Sequence, residues 1–248
     1  MILTTTLNGN TITFNTQQGI ELTLPVQQGP DTVNAYYIPD AQISPFSTSG
    51  FVGSVQQGGG CNCEDIKFNA HGNGTHTECV GHISNERIAL HHCLKEFLFL
   101  AELISITPDT ALNGDRIISQ QQIEAVKKAK HPALLIRSLP NTKNKTTKRY
   151  SGTNPTYISK EAAEWLRKNG VEHLLIDTPS VDREEDEGEL AAHHAFWDYP
   201  ENTRLNSTIT ELIYAPESVN DGQYVLNILV GAFDSDASPS RIILYPFN

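Results

Sequence analysis

Three histidines and a glutamate stand within the twelve residues from His71 to His82, read as HGNGTHTECVGH. The whole chain has nine histidines, so this is a dense concentration of the side chains that bind zinc or manganese. In an extended segment, side chains two apart share a face, so His76 and Glu78 point together, and His82 joins them if the chain stays extended. His71 has the opposite parity, but Gly72 and Gly74 allow a bulge or a positive φ that swings it round. Two imidazoles and a carboxylate leave an open position for water, whose pKa falls to about 7 on a divalent ion. Such a centre hydrolyses amides, esters or lactones. A histidine outside the ligand set can carry the proton to the leaving group, and His82 is the candidate.

The flanking sequence must hold this segment in place. The first sixty residues mix short β-branched runs, Thr11 to Phe14 and Ile20 to Leu24, with turn-forming residues, and Gln56 to Gly60 reads as a flexible approach. Ser119 and Gln122 form a capping box ahead of Ile123, Val126 and Ala129, with Pro132 ending the helix before the apolar run Ala133 to Ile136. The order repeats. Ser159 caps a helix through Ala162, Trp165 and Leu166, Gly170 stops it, and Val171 to Ile176 is a buried strand. Tyr224 to Val230 and Arg241 to Tyr245 are late strands, joined by a loop from Asp234 to Pro239 that Arg241 ties down. This is an α/β chain with a mixed sheet, taken as one domain over residues 1–248. Leu139 to Pro155 reads as a polar surface loop and the candidate for a flap, and Arg183 to Glu189 as a solvated loop leading into a helix.

Three ordered blocks make the chain recognisable. Gly74, Thr75, His76, Glu78 and His82 resemble the signature His-x-Gly-Thr-His-x-Asp-x-Pro-x-His of the cyclase family of metal-dependent hydrolases, which includes kynurenine formamidase and isatin hydrolase. Ile176 to Asp182 with Leu190 to His193 is similar to a second block. Thr210 to Leu212 followed by Ala237 to Arg241 is similar to a third. The resemblance implies a swivelling β/β/α fold, a homo-oligomer (dimer or tetramer), and a centre of one or two Zn²⁺ or Mn²⁺ ions. It implies His76 and Glu78 as ligands, with His193 and Glu211 completing the site from the far half of the chain. His71 stands in for the first histidine, and His82 is either a ligand to a second ion or the proton carrier. Three departures bear on substrate more than on fold. His71 lies five residues before His76, with Gly72 at the expected place; Glu78 replaces Asp; and Val80 replaces Pro. Trp197 to Asn202 looks like an insertion near the pocket.

Bulk properties narrow the function further. With 248 residues, 38% of them hydrophobic and 19% charged, the composition is that of a soluble globular chain. A net charge of −11 repels a phosphate backbone, so nucleic acid is not an expected partner. Phe97 to Ile106 is too short to span a bilayer, and MILTTTLNGN has no secretory pattern, so a cytoplasmic enzyme acting on a small molecule is expected. The four cysteines, Cys61, Cys63, Cys79 and Cys93, are expected to be buried free thiols; they lack the spacing and second pair of a zinc knuckle. The leading expectation is therefore a metal-dependent hydrolase of arylformamide-like amides, cyclic amides or lactones. The rival is a non-catalytic relative whose degenerate metal site binds a small molecule.

Overall fold

The computed structural model describes residues 1–247. Seven strands surround one core: β1 (His76–Cys79), β2 (Leu98–Ile106), β3 (Ala133–Ser138), β4 (His173–Ile176), β5 (Thr208–Glu211), β6 (Gly222–Val230) and β7 (Ala237–Tyr245). They hydrogen-bond in the order β6-β2-β3-β4-β5-β1-β7, and β7 pairs back onto β6, so the sheet closes on itself. The expected mixed sheet is therefore a barrel. Strands β2 to β5 run parallel, and the remaining pairings are antiparallel.

Parallel neighbours need crossovers, and helices α1 (Gln120–Val126), α2 (Lys160–Lys168) and α3 (Ala191–Trp197) lie on the connections that precede β3, β4 and β5. Burial then follows the two-residue period of the strands. Ala101, Leu103, Ala133, Leu135, Leu175 and Leu226 fill the barrel interior. Their alternates Ile104, Leu134, Ile136, Leu174, Ile176 and Ile209 pack beneath Ile123, Ala162, Leu166, Ala192 and Phe196 of the helices. Both faces are covered, which is why β3 and β4 read as continuous apolar runs rather than alternating ones.

The helix starts follow the sequence. Gln122 N–H donates to Ser119 Oγ and Ser119 N–H to Gln122 Oε1, completing the capping box, and Ala162 N–H donates to Ser159 Oγ. The end of α1 does not wait for Pro132. Buried Glu102 accepts the N–H groups of Lys128 and Ala129, which pulls the chain out of the helix after Val126. Leu139 to Pro155 is likewise no free flap. Lys145 Nζ sits 2.6 Å from Asp177 Oδ2, Asn141 donates to Ala215 O, and Tyr150 is buried. Ala237 to Pro239, expected in a loop, belong to β7 and pair with β1. Arg241 binds Glu21 rather than the preceding loop. Gln56 to Gly60 is exposed apart from Gly59, where the turn is tight enough that a Cβ would stand 2.0 Å from Val52 O. Only Cys79 and Cys93 are buried; Cys61 and Cys63 are exposed. Among the described residues, no helix is long and apolar enough to cross a membrane.

Candidate metal centre

Strand β1 lies between β5 and β7, with His76 opposite Glu211 on one side and Pro239 on the other, and Glu78 opposite Ile209 and Ala237. Thr77 and Cys79 point the other way, Thr77 bonding Thr210 and Cys79 packing inside the barrel. His76, Glu78 and Glu211 thus face α3, whose His193 comes down onto them. His76 Nε2 lies 3.3 Å from Glu211 Oε2, and His193 Nε2 lies 3.1 Å from Glu78 Oε1 and 3.8 Å from Glu211 Oε1.

Tight local packing fixes these positions. Thr75 Oγ donates to Leu212 O and accepts from Leu24 N–H, clamping the residue before His76 to the chain after Glu211. Gly74 permits the close approach, since a Cβ there would stand 2.8 Å from Leu24 O. Leu212 adopts φ +56, a conformation non-glycine residues rarely take, directly after Glu211. Val181 N–H donates to Glu211 Oε1, leaving Oε2 for His76.

His71 joins the cluster despite its parity. The loop before β1 places its Nδ1 3.1 Å from Glu78 Oε2 and its Nε2 2.9 Å from Asp236 Oδ2. His82, in the 3₁₀ turn after β1, sets Nδ1 3.4 Å from Asp236 Oδ2 and 3.7 Å from Glu78 Oε2. All six expected site residues, His71, His76, Glu78, His82, His193 and Glu211, therefore converge. Two neighbours lay outside that expectation. Asp182 Oδ2 is 2.6 Å from His193 Nδ1, and Asp182 also accepts the N–H groups of Ala192 and His193 at the start of α3. Asp236 adds a fourth carboxylate, from the β6–β7 loop. Both belong to the recognisable blocks or sit against them, so their position in those blocks was the available signal.

The chemistry of this donor set fits a divalent cation. Nδ1 of His76 is 3.1 Å from Gly74 O and Nδ1 of His193 faces Asp182, so in the neutral tautomers both Nε2 atoms carry lone pairs. Those lone pairs are aimed at carboxylate oxygens, acceptor against acceptor. Nε2 of His76 and Oε2 of Glu78 are buried and have no hydrogen-bond partner. A cation between them resolves the conflict; protons do so only in part. Burial opposes charging His71, yet the facing carboxylates of Asp236 and Glu78 overcome it and push its pKa up to about 10. Burial also opposes charging His193, and Asp182 and Glu78 raise its pKa all the same. Burial opposes ionising Glu78, but the imidazoles of His82, His193 and His71 hold its pKa well below the usual range. Groups close enough to share an ion are His71, His76 and Glu78; Glu78, His82 and His193; and His71, His82 and Asp236. Among the described residues, no cysteine joins such a group.

A cavity of about 380 Å³ opens onto the cluster, lined by Tyr36, Ile38, Leu190, Arg183, His71 and His82 among others. The Arg183 to Glu189 segment is therefore a wall of the cavity rather than a purely solvated loop. It is pinned there by Arg183 Nε, 3.0 Å from the buried carboxylate of Asp115. Trp197 to Asn202 does not line this cavity. Trp197 is fully buried beside the His193 ring and donates to Ser207 O, and the residues after it turn back towards β5.

The chain is similar to known proteins in sequence and in fold. The kynurenine formamidase of Bacillus cytotoxicus is 26% identical over 193 residues, 77% of this chain and 83% of the relative. A solved structure described as a potential metal-dependent hydrolase with cyclase activity superposes with a TM-score of 0.65 at 16% identity, over 92% of this chain and 96% of the other. Isatin hydrolase A from Labrenzia aggregata superposes with a TM-score of 0.65 at 13% identity, over 92% and 93%. At these identities the superpositions show a shared fold. The family model Cyclase, described as "Putative cyclase", matches residues 3–183, which contain His71, His76, Glu78, His82 and Asp182. With nearly three quarters of its length matched and the site residues of its first half inside the match, the chain belongs to the Cyclase family.

Proposed function

We propose that the chain is a metal-dependent hydrolase of carbon–nitrogen bonds, acting on an arylformamide-like or cyclic amide, with lactones as a neighbouring substrate class. The observation that carries this reading is the acceptor-against-acceptor arrangement of His76 and His193 with Glu78 and Glu211, two of whose atoms are buried without partners. His76 and Glu78, with His71 near enough to join them, would hold a Zn²⁺ or Mn²⁺ ion; His193, which shares Glu78, would hold a second one, and Glu211 faces both imidazoles. When bound, such an ion supplies Lewis acidity for the carbonyl and an acidified water. The chain supplies the rest. Gly74 O and Asp182 fix the imidazole tautomers, and the Thr75 clamp fixes the ligand strand. His82 is 28% exposed at the cavity side and engages carboxylates through Nδ1, which leaves Nε2 to pass a proton to the leaving nitrogen or oxygen. Tyr36, Ile38 and Leu190 offer an apolar wall for an aromatic or cyclic body, in a cavity whose size suits a small molecule.

The name of the Bacillus cytotoxicus relative supports the amide reading, and the isatin hydrolase fold supports the cyclic alternative. The test is a panel of N-formylkynurenine, isatin and simple lactones with added Zn²⁺ or Mn²⁺, alongside metal content. Turnover that disappears together with bound metal in His76→Ala supports the reading; protein that takes up no divalent ion overturns it. We further propose a homo-oligomer. Exposed Ile66, Leu229 and Phe233 border an apolar groove of about 510 Å³, a surface suited to a second copy. Light scattering on the purified chain tests this, and a monomer at micromolar concentration would contradict it.

A further inference from the structure

Asp236 is the part of the cluster that neither the sequence signature nor the reading above uses. It enters from the β6–β7 loop, held against β1 by Cys79 N–H donating to the Asp236 carbonyl. Ser235 Oγ lies 3.2 Å from its Oδ1, which leaves Oδ2 to face the two imidazoles of His71 and His82 at 2.9 and 3.4 Å. Those two rings lie 4.4 Å apart. Behind them is Glu78 Oε2, buried, unpartnered, and 3.1 and 3.7 Å from the same imidazoles.

We propose that Asp236 is a direct ligand in an outer divalent-cation subsite formed with His71 and His82 and backed by Glu78. The arrangement is two imidazoles and two carboxylates, a donor set that suits Zn²⁺ or Mn²⁺. It also accounts for the displaced first histidine. His71 reaches the cluster from one residue further back along the chain, and Asp236 faces it from the opposite side. With Nδ1 on the ion, His82 would keep its Nε2–H as a hydrogen-bond donor to the leaving group; transfer of that proton would leave an imidazolate and belongs to the state without the outer ion.

The inference rests on the metal-centre reading, and the experiment separates the two. Chelator-stripped wild type, Asp236→Asn and His76→Ala are titrated with Zn²⁺ by calorimetry, and metal per chain is measured after gel filtration. The expected result is two ions per wild-type chain, with Asp236→Asn keeping the inner ion and losing the outer one or binding it more than about 100-fold more weakly, beyond the loss typical of a residue that only orients a ligand. Two ions in Asp236→Asn with affinities within threefold of wild type would overturn the proposal and make Asp236 a positioning residue. One ion in both proteins would overturn it while leaving the hydrolase reading intact. No ion in wild type would overturn both. Should Asp236→Asn fail to fold, anomalous scattering from Zn²⁺-loaded wild-type crystals decides: the proposal requires an ion about 2.0–2.2 Å from Asp236 Oδ2, and an ion bound only to the inner set refutes it.

Discussion

Replacing Asp182 by Asn separates tautomer control at the metal centre from simple packing. Asp182 Oδ2 receives both the ring Nδ1 of His193, at 2.6 Å, and the His193 N–H, while Oδ1 receives Ala192 N–H at 2.7 Å. An Asn can match only part of this. With its NH₂ at the Oδ2 position, it meets the His193 N–H donor to donor and makes Nδ1 an acceptor, which moves the ring proton to Nε2 and removes the lone pair aimed at Glu78. With its NH₂ at the Oδ1 position, it collides with Ala192 N–H instead. A buried donor left unpaired costs about 1–3 kcal/mol, and at this chain length each kcal/mol lowers Tm by roughly 2–4 °C, so a loss of roughly 2–12 °C is expected. Removing a carboxylate that orients a metal-binding histidine costs about 10–100-fold in metal affinity, or about 1.4–2.8 kcal/mol. Calorimetric titration of Zn²⁺ into chelator-stripped wild type and Asp182→Asn, well below both melting temperatures, measures this directly. A lowered Tm with an unchanged zinc Kd would reduce Asp182 to a helix cap and refute the tautomer argument.

Other outcomes follow from the same structure. Thr75→Val removes the bonds to Leu212 O and Leu24 N–H, and is expected to destabilise by about 2–4 kcal/mol with a fall in turnover, read from denaturant melts and kcat. Leu166→Ala opens a cavity at a fully buried contact between α2 and the sheet, costing about 2–5 kcal/mol in the same melts while leaving metal stoichiometry unchanged. Buried against Phe99, His173 has its pKa lowered to about 4 by desolvation, with Arg204 adding to the effect. The unfolded chain therefore binds the extra proton first, and stability falls as pH drops from about 6.5 towards 4, by on the order of 2–3 kcal/mol. His173→Gln should flatten that slope in pH-dependent melts; an identical slope would show that other groups set it.

Much of the site was legible because half of it is local. His71, His76, Glu78 and His82 lie within one short segment, and the strand period alone puts His76 and Glu78 on a common face. The capping box of α1 and the Ser159 cap of α2 were legible for the same reason, since each needs only four consecutive residues. What sequence alone could not show was closure of the sheet. Asp236 stands next to Glu78 only because β7 pairs with β1 in the register Ala237 to Glu78, a contact between segments more than 150 residues apart. Glu102 stopping α1 early, Lys145 pinning its loop to Asp177, and Asp115 holding Arg183 at the cavity wall are buried polar contacts of the same non-local kind. The spacing that places His71 out of phase with β1 is compensated by the loop before the strand, which no strand-period argument describes.

The central claim is that His76 and Glu78 hold a divalent ion, with His193 and Glu211 completing the centre around them. Anomalous diffraction from crystals grown with Zn²⁺, recorded on both sides of its absorption edge, tests it most directly. The account predicts a peak about 2.0–2.2 Å from His76 Nε2 and the facing carboxylate oxygen of Glu78. A map with no peak there, or with zinc only at the exposed Cys61 and Cys63, would contradict it.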